Sequence, residues 1–111
     1  MSYGPIQVFT ATMAAASTDV TFELPNAYSR AYFVLPSLTT NAELAVQAST
    51  DGTTFKVVRH ASSVAAPTPK VYASSVLNSI VPAEDCIFPY IKLVASQAPS
   101  FAAGFKMICV Y

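Results

Sequence analysis

Apolar and polar residues alternate with a period of two along most of this chain, and no window carries the 3.6-residue stripe of a long helix. The clearest alternation spans residues 42–60, where two runs flank Asp51-Gly52. Asp-Gly between alternating runs predicts a two-residue type I′ hairpin turn, which needs φ > 0 at both central residues. Folding there sets Ala48 opposite Phe55, Val46 opposite Val57 and Leu44 opposite Arg59 on one face. Gln47 then faces Lys56, and Glu43 faces His60, on the other. A slip of one residue would mix the apolar and polar faces, so turn chemistry and burial agree on this register.

Further strands follow from the same period. Residues 6–13 place Phe9, Ala11 and Met13 on one face and Val8, Thr10 and Thr12 on the other, and the small residues 14–17 break the pattern. Residues 19–24 turn Val20, Phe22 and Leu24 inward, and Pro25-Asn26 ends the run. Residues 30–35 are apolar on both faces, which predicts a strand central in its sheet or covered by a neighbouring subunit. Residues 61–69 hold two prolines and read as a long loop. Residues 71–77 and 79–81 are weaker strands, readable as one strand broken at Asn78. Residues 90–95 and 105–111 are strong β-formers joined by a Ser-, Pro- and Ala-containing loop, and they are expected to pair with each other. The last run carries Tyr111 into a sheet or an interface. About eight short strands predict an all-β fold: one antiparallel β-sandwich domain over residues 1–111, jelly-roll-like in form.

Charge narrows the function. Only 11% of residues are Asp, Glu, Lys or Arg, against about 25% in ordinary soluble domains, while 53% are hydrophobic. Six basic and six acidic side chains cancel, and a small neutral domain tends to associate. Nucleic-acid binding needs clustered Lys and Arg; Lys56 and Arg59 are the closest basic pair and fall on alternate faces, so no nucleic-acid partner is expected. No apolar run approaches the roughly eighteen residues that span a bilayer, and residues 1–5 lack the basic flank and apolar core of a secretory signal. Neither a membrane partner nor export is therefore expected. Cys86 and Cys109 have no metal or redox spacing. Cys109 alternates in phase with Phe105 and Met107, as a small buried hydrophobe does, and Cys86 is read in the same way. The two can bond only if their strands lie side by side.

No catalytic constellation stands out. The single histidine, His60, faces Glu43 across the predicted ladder, a polar pair worth a few tenths of a kcal/mol, roughly. Glu84 and Asp85 adjoin and point apart, and Asp19 and Glu23 flank an ordinary amphipathic strand. Gly4, Gly52 and Gly104 are isolated, which excludes the glycine-rich phosphate loops. Scattered acids, one His and two Cys give no metal spacing. Asp51 could join neighbouring carbonyls around a calcium ion, but its place in a tight turn already accounts for it. The expectation is no enzyme, no cofactor and no metal. Tyr3, Tyr28, Phe88, Phe101 and Tyr111 fall in predicted loops or strand ends, where they either anchor a partner or close the ends of the sandwich.

The run Ser49-Thr50-Asp51-Gly52-Thr53-Thr54-Phe55-Lys56-Val57-Val58, followed by Pro89-Tyr90-Ile91-Lys92-Leu93, carries a resemblance. It resembles discoidin-like sandwich modules, which share a strand, a Ser-x-Asp-Gly turn, an aromatic and a later Tyr-Ile-Lys/Arg-Leu strand. The chain is also similar to small structural proteins of tailed bacteriophages, which are short, Ala-, Ser- and Thr-rich β chains of low charge. The phage resemblance implies a capsid decoration or cement subunit. Such a subunit is assembled in the host cytoplasm, homo-oligomeric with a trimer favoured, and seated in the virion on the major capsid protein. The discoidin resemblance implies instead a glycan- or receptor-binding module, tail or fibre associated. This chain has no Trp and lacks the paired terminal cysteines of secreted discoidin modules.

Overall fold

The computed structural model describes residues 6–25, 27–38, 42–59, 70–83 and 88–110. Two antiparallel sheets pack face to face. The first holds, in order, β1 (Ile6–Met13), β9 (Ala103–Val110), β3 (Arg30–Val34) and β7 (Ile80–Pro82). The second holds β2 (Asp19–Glu23), β8 (Tyr90–Ala95), β4 (Leu44–Ser49) and β5 (Lys56–Val57), with β6 (Val71–Tyr72) also paired to β4.

The pairings nest: β1 with β9, β2 with β8, β3 with β7, and β4 with β5 and β6. The chain is thus one long hairpin rolled into two sheets, which is a jelly roll. β5 and β6 lie end to end along one flank of β4 and act as two halves of one strand. At the junction, the Val58 N–H donates to Val46 O at 3.0 Å and the Lys70 N–H to Val58 O at 2.8 Å, while Lys70 O accepts from the Val46 N–H at 3.1 Å. Counting that broken strand once gives the eight positions expected from the sequence.

Alternation puts one face of every long strand in the core. Val20, Phe22, Leu44, Val46, Ile91 and Leu93 point inward from the second sheet, against Met13, Phe33, Phe105, Met107 and Cys109 from the first. Each large side chain buried in this way contributes about 1.5–3 kcal/mol over leaving it in water. The Phe22 and Phe33 rings meet across the interface at 5.9 Å. From the opposite edge of the second sheet, the Tyr72 ring meets Phe33 edge-on at 6.0 Å and its hydroxyl donates to Pro82 O at 2.7 Å, tying β6 to β7 across the two sheets.

Three sequence expectations are corrected. Residues 90–95 and 105–111 do not pair: β8 lies between β2 and β4, whereas β9 lies between β1 and β3. The connecting loop crosses from one sheet to the other, a step that period-two patterning does not encode. The hairpin register is shifted by one, with Gln47 opposite Val57 and Ala48 opposite Lys56. Its cause is the turn. Gly52 has φ +79° but Asp51 does not share the left-handed region, so the connection is a six-residue loop over residues 50–55 in place of a type I′ turn. The stretch 71–77 divides into β6 and a single 3-10 turn at Ser74–Val76. As expected, β3 is central in its sheet, with β9 and β7 on its two sides. Cys109 is fully buried in the core; Cys86 lies outside the described residues.

Candidate interaction surface

Asp51 and Gly52 build a loop that covers part of the second sheet's outer face. Asp51 Oδ1 accepts from the Ser49 hydroxyl at 2.8 Å, the Thr53 N–H at 2.8 Å and the Thr54 N–H at 2.9 Å. Ser49 Oγ in turn accepts from the N–H groups of Asp51 (3.2 Å) and Gly52 (2.9 Å). The Thr54 and Thr53 amides, with the Ser49 hydroxyl, hold the Asp51 carboxyl at about 2, below its ordinary 3.8. A carboxylate fixed in this way is a structural acceptor and a poor proton donor at neutral pH.

The loop folds back onto β8. A Cβ on Gly52 would lie 2.9 Å from the Tyr90 ring, so the glycine serves both its positive φ and this close approach. Farther along the loop, Lys92 Nζ sits 4.1 Å from the centre of the Phe55 ring, a cation–π contact. The two segments that carry the resemblance, residues 49–58 and 89–93, are therefore brought together on one face. On the inner side of the hairpin an open concavity of about 660 Å³ is lined by Ala48, Asp51, Lys56, Val58, Arg59 and Phe88, among others. It combines an apolar floor with two cations and one carboxylate committed to the loop. His60, Glu84 and Asp85 lie outside the described residues, and among the described residues no group of three or more His, Cys, Asp or Glu could hold a metal.

The expected aromatic anchors separate. Tyr28 is 3% exposed, packed edge-on against Phe9 with its hydroxyl donating to Gln7 Oε1. It closes the sandwich and is not available to a partner. Phe88 is half-buried against the core, and Phe101 is exposed. Tyr3 and Tyr111 lie outside the described residues.

The larger feature is the outer face of the first sheet. The strand registers arrange it in rows. The first row runs Ile6, Val110, Arg30; the second runs Val8, Ile108, Tyr32, Pro82; the third runs Thr10, Lys106, Val34, Ile80. The second row is apolar across all four strands, and the face carries two cations and no acid. Val8 is 55% exposed and Ile80 63%. These exposed aliphatic side chains flank the face at its two edges, with Ile108, Tyr32 and Val34 between them. The sequence signal for it was the apolar character of both faces in residues 30–35, which recurs in Met107-Ile108-Cys109-Val110.

Fold and surface together define an all-β jelly-roll domain with one apolar outer face. Compared with known proteins, the chain matches no family model, no curated protein and no solved structure.

Proposed function

We propose that this protein is a non-catalytic structural subunit of a virion, a capsid decoration or cement protein that docks the outer face of its first sheet on the major capsid protein. The observation that carries the reading is the uninterrupted row Val8, Ile108, Tyr32, Pro82 with its apolar neighbours. Covering it removes apolar area from water at about 25 cal/mol per Å². Because only the docked state gains, binding stabilises the assembled shell by linkage. The setting is suggested by composition alone, a short chain rich in Ala, Ser and Thr with little charge, and zero net charge suits close packing of many copies. Quantitative mass spectrometry of purified virions from the cells that make this chain tests the reading. Copy numbers near that of the shell protein are expected, and particles free of the chain would refute it.

A second reading has one observation in its favour, the concavity lined by Lys56, Arg59 and Phe88. A glycan- or receptor-binding module would take its ligand there, at the end of the sandwich. Saturable binding on a glycan array, lost in Phe88→Ala, together with only a few copies per virion, would favour a tail or fibre module over cement.

A further inference from the structure

Sheet edges attract further strands unless something discourages them, because each presents a row of unpaired N–H and C=O groups. Three of the four edges in this sandwich are discouraged. β2 carries Asp19 and Glu23. The β5 and β6 edge is broken into two-residue pieces, one of them bearing Lys56. β7 has three residues and contains Pro82. β1 is different. It is eight residues long, Ile-Gln-Val-Phe-Thr-Ala-Thr-Met, without a charge, a proline or a glycine. Its whole length is held extended by pairing with β9, and among the described residues no strand pairs with its other flank.

We infer that β1 pairs antiparallel with β1 of a second copy across a two-fold axis, joining the two first sheets into one continuous sheet. A chain's own edge strand is a partner of equal length, and an isologous contact closes after two copies. Antiparallel partners share a face, so a register in which odd-numbered residues meet odd-numbered residues keeps both copies consistent. Phe9 and Ala11 of each copy then stay on the core side, and Ile6 and Val8 of each copy meet on the outside. Ile6 and Val8, 48% and 55% exposed in the single chain, become interior positions of the joined sheet. No charge on β1 opposes the contact, and the chain has no net charge to push two copies apart. On β2, Asp19 and Glu23 keep the second sheets from joining in the same way. The pairing also doubles the width of the apolar face. It deepens the structural reading by naming a second copy as one partner.

Analytical ultracentrifugation of the full chain, with Val8→Lys and Ile80→Lys beside it, tests the inference. Both substitutions place a lysine on the same outer face, at its opposite edges. The wild-type chain should reach twice its 11.8 kDa mass. Val8→Lys should weaken self-association by about tenfold, since it sets charges of the same sign near each other across the pair. Ile80→Lys should leave it unchanged. Near-UV circular dichroism checks that the variants are folded. Should Val8→Lys fail to fold, hydrogen exchange of the wild type decides: the β1 amides should gain protection as concentration rises. A wild-type chain still monomeric at concentrations on the order of 1 mM, β1 amides indifferent to concentration, or equal loss from both lysines would overturn the pairing. A monomer that still enters virions would sink the pairing alone, whereas a dimer absent from virions would sink the structural reading alone.

Discussion

The two outer faces of the sandwich solve the same problem in opposite ways. On the second sheet, Asp19, Thr21 and Glu23 line one edge strand, and the loop over residues 50–55 folds back to lay Gly52 on Tyr90 and Phe55 beside Lys92. That face is covered in part by its own chain, with Val57 and Val71 still exposed on it. On the first sheet, the corresponding positions are Ile6, Val8, Ile108, Tyr32 and Ile80, with no loop among the described residues laid over them. The difference shows where the fold covers a face with its own chain and where it leaves apolar side chains exposed.

Substitutions that separate the faces should rank by how much apolar contact they remove. The largest effect is expected from Tyr32→Lys, in the centre of the apolar row. Docking on shells, read by co-sedimentation, should fall about a hundredfold, the scale of a central aromatic anchor. Thr21→Lys, on the second face, should leave docking unchanged. Next is Gly52→Ala, which forces alanine to φ +79° and its Cβ to within 2.9 Å of the Tyr90 ring. It should cost about 2 kcal/mol in urea unfolding without changing docking.

Smaller effects concern the self-covered face. The folded-state pKa of Asp51 is depressed to about 2 from 3.8, so the folded chain binds that proton less readily than the unfolded one. Its contribution to stability is therefore present above about pH 4 and lost as pH falls toward 2. Thermal melts across that window should show a smaller acid-induced drop in Asp51→Asn than in the wild type. Phe55→Ala removes the ring beside Lys92 and should cost about 0.5 kcal/mol, as an exposed cation–π contact does. Double-mutant cycles with Lys92→Met would measure that term.

Face and neighbour differ in how legible they are. The period of two places Phe9 and Met13, Val20 and Phe22, Leu44 and Val46, and Met107 on the faces that the structure turns inward, because burial acts on each residue where it stands. It did not place β8 and β9 in different sheets, since strand order depends on how a rolled hairpin closes and not on either strand's own sequence. The register of β4 and β5 was misplaced because Asp51 works through its side chain. Accepting from Ser49, Thr53 and Thr54 holds a wider loop, and a composition of Asp-Gly does not separate that from a type I′ turn. The apolar face was half legible: residues 30–35 read as covered on both sides, but the rows joining Val8 to Pro82 exist only once β1, β9, β3 and β7 are side by side.

Hydroxyl-radical footprinting of the free chain and of the chain in purified virions tests the central claim most directly. Val8, Ile108, Tyr32 and Ile80 should lose reactivity on assembly while Tyr90 and Phe55 keep theirs. Equal reactivity of the first face in both states, or protection confined to the residues 50–55 loop and Tyr90, would contradict it.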